Sequence, residues 1–317
     1  MPSVSVVIPT FNARRWLPGL FAALKRQTPD APAEIILVDS GSCDGTVEFA
    51  RQQDGVRVIP IQRFSHGGAR NLGIRSSAGE VVVLMTQDAE PADEHWLARL
   101  LAPLADTSVA GAYSRQVPRS DASPMERFFL MDRFPDGDLP VRRSHEGSGT
   151  PVYPATFFSN VSSAARKETW LRFPFDERLL MSEDQQFARD VLLAGLALVY
   201  VPASVVRHSH AYNLRQTFSR YFDSVMAFRQ LSGGHTVSRS TQLAGRTAGR
   251  ELAYLVREAP AHIPYYVLHM LFKGAGVLAG HAAGLLPRRL CARWSMNPAW
   301  WRNSGVVPGD KQGGGKS

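Results

Sequence analysis

Acids that close apolar runs, and one acid pair that opens an amphipathic stretch, are the residues of this chain best placed to do chemistry. The run at 81–85, Val-Val-Val-Leu-Met, has the length and β-branched richness of a strand buried on both faces of a parallel sheet. Asp88 lies just past its carboxyl end, where open α/β sheets hold their ligands. A carboxylate there is a ligand for a hard divalent cation carrying a diphosphate. An acidic turn before a helix, with Asp93 as the N-cap, is the plainer alternative. Asp39 closes a second apolar run, 34–38. Two strand ends carrying acids are more than ordinary loop carboxylates account for. Glu183 and Asp184 follow Ser182, which reads as the N-cap of a helix running to Leu193, with Gly195 at C′. In that first turn, complementing the helix dipole is also a sufficient reason for both acids.

The elements that must position these groups follow from periodicity. Strands are expected at 3–8, 34–38, 56–61, 81–85 and 109–117, the first broken by Pro9-Thr10-Phe11-Asn12. Helices are expected at 13–27, from 44 to about 53, at 67–76 (closed by Gly79) and at 94–105. Strands alternating with helices argue a parallel, doubly wound sheet. Residues 119–154 mix Pro, Gly, Asp, Arg and Ser and read as a mobile loop or lid. A strand at 156–163, a short helix at 166–172 and a strand at 198–201 lead to Val206-Arg207-His208-Ser209-His210.

The 317 residues carry a formal net charge of +8 and 44% hydrophobic side chains, enough for a sizeable core. The basic excess fits nucleic acid, an anionic membrane face or a phosphorylated substrate. No nucleic-acid-binding motif is present, so that partner class is set aside. Cys43 and Cys291 give neither a disulfide framework nor metal-ligand spacing, and a reducing cytoplasm is the simplest compartment. The opening strand is too short, and lacks the basic flank, for a signal peptide. Beyond 211 the chain changes character. A helix with aromatic spacing is expected at 212–231, a linker at 232–240 and a helix at 241–257. The apolar, glycine-rich stretch 262–286 is interrupted by His269, Lys273 and His281 and falls short of a membrane span. Arginines follow it, which fits a segment lying on an anionic membrane, and a helical hairpin packed on the rest of the protein equally well. Residues 309–317 read as a disordered tail.

Taken together, Val6-Val7-Ile8-Pro9-Thr10-Phe11-Asn12, Val38-Asp39-Ser40-Gly41-Ser42-Cys43-Asp44-Gly45-Thr46, Asp88 and Glu183-Asp184 resemble the family-2 inverting glycosyltransferases of GT-A fold, over roughly residues 3–210. The segment 64–73, Phe-Ser-His-Gly-Gly-Ala-Arg-Asn-Leu-Gly, is similar to the bacterial rhamnosyltransferase branch. So are Thr86-Gln87-Asp88-Ala89 and His208-Ser209-His210-Ala211-Tyr212 with Arg220-Tyr221-Phe222-Asp223. The resemblance implies a Rossmann-like, mostly parallel α/β sheet in a catalytic domain at 1–211; the C-terminal helical region at 212–308 lies beyond it, with membrane docking and packing on the catalytic domain both open. It implies transfer of a sugar, L-rhamnose from dTDP-L-rhamnose, to a glycan or lipid-linked acceptor in surface polysaccharide synthesis at the inner face of the cytoplasmic membrane. A UDP-sugar donor is the nearest alternative. A nucleotide-sugar pyrophosphorylase would carry a glycine-rich basic loop after its first strand, which Pro-Thr-Phe-Asn is not. A nucleotide-binding pseudoenzyme is the third reading, opposed by the intact Glu183-Asp184.

The resemblance also implies roles. Asp184 matches the general base of an inverting displacement, with Glu183 beside it. Asp88 matches the metal-binding acid and His208 the later metal-ligand histidine, with His210 as a less favoured stand-in, for Mg²⁺ or Mn²⁺. Where the family has Asp-x-Asp, this chain reads Gln87-Asp88-Ala89-Glu90; Gln87 and Glu90 are candidates to assist. Pro9, Thr10 and Asn12 are expected to border the nucleoside. Asp39, next to Ser40, is expected to accept a hydrogen bond from the imide N–H of thymine or uracil. His66, Gly67, Gly68 and Arg70 are expected at the diphosphate, the glycines for close backbone approach and Arg70 as a forked cation.

Overall fold

The computed structural model describes residues 3–29, 31–145, 149–151, 154–232 and 237–303. The tail at 309–317 lies outside them, as does 233–236 of the expected linker; residues 237–240 of that linker are helical. In chain order the elements are β1 (Val4–Thr10), α1 (Leu17–Lys25), β2 (Glu34–Asp39), α2 (Thr46–Arg51), β3 (Val56–Pro60), α3 (His66–Ser76), β4 (Val81–Met85), β5 (Glu90–Pro91) and α4 (Trp96–Leu101). Then come β6 (Val109–Val117), α5 (Pro124–Arg133), β7 (Val141–Arg143), β8 (Ser162–Arg166), α6 (Lys167–Arg172), α7 (Glu183–Leu193) and β9 (Ala197–Arg207). Five helices follow: α8 (Leu214–Ser232), α9 (Val237–Glu258), α10 (Ile263–Ala282), α11 (Arg288–Trp294) and α12 (Pro298–Asn303).

The chain forms two compact units. The first comprises the chain up to Ala122 with Phe129–Glu177 and Glu183–His210; the second comprises Ser123–Phe128, Arg178–Ser182 and the chain from Ala211. The first unit is built on one sheet, ordered β3-β2-β1-β4-β8-β6-β9-β5, with β7 also on β9. β3, β2, β1 and β4 are mutually parallel, as are β6 and β9; β8 runs antiparallel to β4 and β6. The sheet is mostly parallel where the nucleotide-binding half was expected. Side chains alternate across it. Val6 and Ile8 of β1 pack with Leu17, Leu20, Leu24 and Trp96 on one face, whereas Val7 packs with Ala69, Ile74, Trp170 and Phe187 on the other. Helices thus cover both faces, and the carboxyl ends of β1, β2 and β4 are left to loops.

Several expectations change. β1 runs on through Pro9 and Thr10, so the break falls at Phe11. The strand expected at 156–163 is Ser162–Arg166; Phe158 before it is buried against Tyr113 and Trp170 without joining a ladder, which made an apolar run look like a strand. The expected lid at 119–154 contains α5 and β7. Leu130 and Phe134, spaced i and i+4, are buried in the core, a short helical signal masked by the polar residues around it. Asp93 is not an N-cap: α4 begins after His95, whose N–H donates to Asp93 Oδ1 at 2.8 Å.

In the second unit, α10 crosses α8 closely. A Cβ at Gly276 would stand 2.4 Å from the Phe218 carbonyl oxygen, and one at Gly280 2.7 Å from Val225 Cβ. Gly276 and Gly280 therefore serve helix packing. Leu180, Phe222, Met226, Cys291, Trp300 and Trp301 form the core of this unit.

Candidate active site and metal cluster

The loops after β1 and β2 are stitched into one rim. Thr10 and Asp39 are register partners across the two strands. Asp39 Oδ1 accepts from the hydroxyls of Thr10 (3.3 Å) and Ser42 (2.5 Å), and its Oδ2 accepts from Gly41 N–H (3.0 Å) and Ser42 N–H (2.9 Å). Gly41, at φ +93°, holds the left-handed turn that aims those N–H groups back at the carboxylate. Ser40 donates both N–H and hydroxyl to the Thr10 carbonyl, each at 3.0 Å. Asn12, itself left-handed at φ 50°, accepts from Cys43 N–H at 3.0 Å. Pro9, Thr10, Asn12, Asp39 and Ser40 are brought together as expected. The first task of Asp39 is to shape its own loop, with all four of its ordinary acceptor directions used.

Gln87 is not directed at a metal. Its amide clamps the Phe11 backbone, accepting from Phe11 N–H at 2.8 Å and donating to Phe11 O at 3.1 Å, so it ties the end of β4 to the end of β1. Glu90 pairs with Arg207 across β5 and β9. Neither fills the place of a missing aspartate.

The side chains that approach Asp88 come from the chain after β9. Past its end, His208 Nε2 stands 3.6 Å from Asp88 Oδ1 and His210 Nδ1 3.8 Å from Asp88 Oδ2; one ligand atom from each of the three lies within 4.8 Å of the others. Two residues apart in extended chain, the histidines share a side. His208 Nδ1 bonds to Gln116 Oε1 at 2.9 Å, and Gln116 Nε2 donates to Ser159 Oγ at 2.9 Å. His208 Nδ1 is turned to Gln116, which leaves Nε2 as the ring atom that faces Asp88. Burial works to raise Asp88, but the charges of His208 and His210 outweigh it and hold the carboxyl below its ordinary range. Donors about 2.1 Å from a shared cation lie about 3–4 Å apart, so the cluster fits a divalent ion. Arg119 donates to the Asp88 carbonyl and stacks over Trp16 at 4.2 Å.

The acid pair opens α7. Glu183 is buried and forms an ion pair with Arg70 at 3.0 Å, itself 5% exposed. Arg70, expected at a phosphate, thus has a carboxylate partner inside the fold, and it also donates to the His66 carbonyl at 3.1 Å. Burial pushes Glu183 up, and the Arg70 charge, aided by His66, more than reverses it, leaving Glu183 an anion. Asp184 goes the other way. Burial and the neighbouring Glu183 charge push it up to about 7, against Arg70. Asn160 joins the two: its side chain donates to Glu183 Oε1 at 3.4 Å and its N–H to Asp184 Oδ2 at 3.5 Å. Ser182 precedes the helix at φ 66°, outside the extended conformation of an ordinary N-cap. At α3, Ser65 is the cap, accepting from Gly68 N–H at 3.0 Å, and a Cβ at Gly67 would come within 3.0 Å of the Asp176 carbonyl. Gly67 is needed for that close backbone passage. Sequence reasoning missed Gln116, Asn160 and Arg119, which carry no local signal; for His210 the His-x-His spacing was the signal.

The comparisons bear on the family and the fold. The sequence pattern of Glycosyl transferase family 2 matches residues 5–167. The chain is 31% identical to the O-antigen chain rhamnosyltransferase RfbN of Salmonella typhimurium, over 95% of this chain and 96% of that one. It is also 31% identical to the O-antigen chain rhamnosyltransferase WbaN of Salmonella anatum, over 96% and 97%. Among solved structures, the mannosyltransferase PcManGT from Pyrobaculum calidifontis, in complex with GDP-Man and Mn²⁺, superposes with a TM-score of 0.56 at 18% identity, covering 96% of this chain and 86% of that one. That likeness is one of fold.

Proposed function

Because the chain belongs to glycosyl transferase family 2, and is therefore a glycosyltransferase, we propose that it transfers L-rhamnose from dTDP-L-rhamnose, with inversion, to a glycan or lipid-linked acceptor of a bacterial surface polysaccharide. The observation that carries the sugar is the 31% identity, over nearly the full chain, to two relatives named as rhamnosyltransferases.

In this reading Asp184 takes the proton of the acceptor hydroxyl as that oxygen attacks the anomeric carbon. A carboxyl at about 7 supports the role, since a base near the working pH is still unprotonated yet strong enough to accept a proton. Glu183 stays ionised against Arg70 and raises its neighbour, and Asn160 orients both. Asp88, His208 and His210 hold the divalent cation. When bound, that cation neutralises the charge gathering on the leaving diphosphate. Two imidazoles beside a single carboxylate favour Mn²⁺ over Mg²⁺, the harder ion. The rim of Pro9, Thr10, Asn12, Asp39 and Ser40 borders the nucleoside. An ionised Asp39 accepts from a pyrimidine imide by yielding one of its loop hydrogen bonds, a donor that cytosine lacks.

No described helix is long and apolar enough to cross a membrane. On α10, however, Val267, Leu271 and Leu278 are exposed on the side away from Gly276 and Gly280, Leu268 is exposed on its flank, and Arg288, Arg289 and Arg293 follow. This pattern supports docking of the second unit on the anionic cytoplasmic face of the membrane. A panel of dTDP- and UDP-sugars, offered with membrane lipid extract as acceptor source, tests the function. Incorporation from dTDP-L-rhamnose alone is expected; faster incorporation from a UDP-sugar would replace the donor.

A further inference from the structure

The second unit holds an open cavity of about 450 Å³ lined by Arg215, Phe218, Ser219, Phe272, Leu290, Arg293 and Trp294. Its chemistry is divided. Arg215 lies in the first turn of α8 and Arg293 in the last turn of α11, both exposed, and neither has an ion pair among the described residues. Phe218, Phe272, Leu290 and Trp294 make the walls apolar. Two like charges at one apolar cavity repel unless an anion lies with them, and guanidinium forks match phosphate oxygens in pairs.

The cavity is also continuous with an apolar surface. Phe272 lines it and is 40% exposed; Leu268, one turn before it on α10 and 47% exposed, adjoins it, and Leu271, 63% exposed, adjoins Leu268 in turn. A ligand with a charged head and a long apolar chain fits both features: the head between the arginines, the chain along α10. A nucleotide fits poorly, because the walls offer no set of polar partners for a base or ribose.

We propose that this cavity binds the terminal, doubly charged phosphate of a membrane lipid, a phosphomonoester or diphosphate head group in place of a phosphodiester. The proposal rests on the membrane-docking reading above and makes it specific. Two arginines are matched by a doubly charged phosphate; a phosphodiester offers a single charge.

The test is co-sedimentation of the full chain with phosphatidylcholine vesicles containing either phosphatidic acid or phosphatidylglycerol, at matched surface charge. The wild type is expected to prefer phosphatidic acid by about tenfold, the gain of one further charge-assisted pair. Arg215→Gln/Arg293→Gln should bring that ratio to about one. Arg289→Gln/Arg302→Gln removes the same charge from exposed positions outside the cavity, and should weaken both vesicle types while keeping the ratio. Thermal melts of both variants establish that the fold is intact. Equal wild-type binding to the two vesicle types, or loss of the preference in the control variant, would overturn the cavity and leave diffuse attraction to anionic membrane. Release by 10 mM inorganic phosphate, but not by chloride at matched ionic strength, would make it a site for free phosphate and overturn the lipid. No binding to either vesicle would overturn the membrane reading itself.

Discussion

Asp184 and Glu183 are adjacent carboxyls shifted in opposite directions, and in the proposed reaction that separation gives them different tasks. Since the base must be unprotonated, kcat/KM should rise with pH through an apparent value near 7. Glu183→Gln removes a charge that raises Asp184 and leaves Arg70 unpaired beside it; both changes lower Asp184, so the acid limb of the profile should move to lower pH. An unmoved limb would detach that limb from Asp184. Asp184→Asn should lower turnover about 10²–10⁴-fold with donor affinity nearly unchanged. Stability should move oppositely. Asp184 has a folded value above its ordinary 3.8, so the native state binds the extra proton and wild-type stability falls as pH rises from about 4 to 7. The melting temperature of Asp184→Asn should therefore gain on the wild type across that window. At the metal cluster, His210→Ala and Asp88→Asn should each weaken Mn²⁺ binding, read by electron paramagnetic resonance of free Mn²⁺, whereas Gln87→Ala should not. Undiminished binding in His210→Ala would return the site to Asp88 and His208.

At the scale of elements, the close crossing of α10 and α8 makes a sharp prediction. Gly276→Ala puts a methyl group against the Phe218 carbonyl, and overpacking of this kind costs about 1–3 kcal/mol, measurable by denaturant unfolding. Gly274→Ala, where a Cβ meets nothing within 4 Å, should be neutral or mildly stabilising. The parallel half of the sheet was legible in the sequence because β1, β2 and β4 are apolar runs closed by turns, with acids at the carboxyl ends of β2 and β4. β8 was misplaced and α5 missed because each is short, and burial of Phe158, Leu130 and Phe134 is set by distant partners. The acid pair was legible by type and spacing. The partner of Arg70 was not, since residues 70 and 183 meet only when α3 and α7 pack on the same face of the sheet.

For the molecule as a whole, the basic excess of +8 and the exposed apolar side of α10 fit the proposed reaction, in which a water-soluble sugar donor meets an acceptor at a membrane. The proposed reaction is one displacement at the anomeric carbon, with Asp184 as its base. The stereochemistry of the product tests this most directly. Transfer from dTDP-β-L-rhamnose, analysed by nuclear magnetic resonance of the isolated glycan, should give an α-rhamnoside, and Asp184→Asn should give almost none. A β-rhamnoside product, or an undiminished yield from Asp184→Asn, would contradict it.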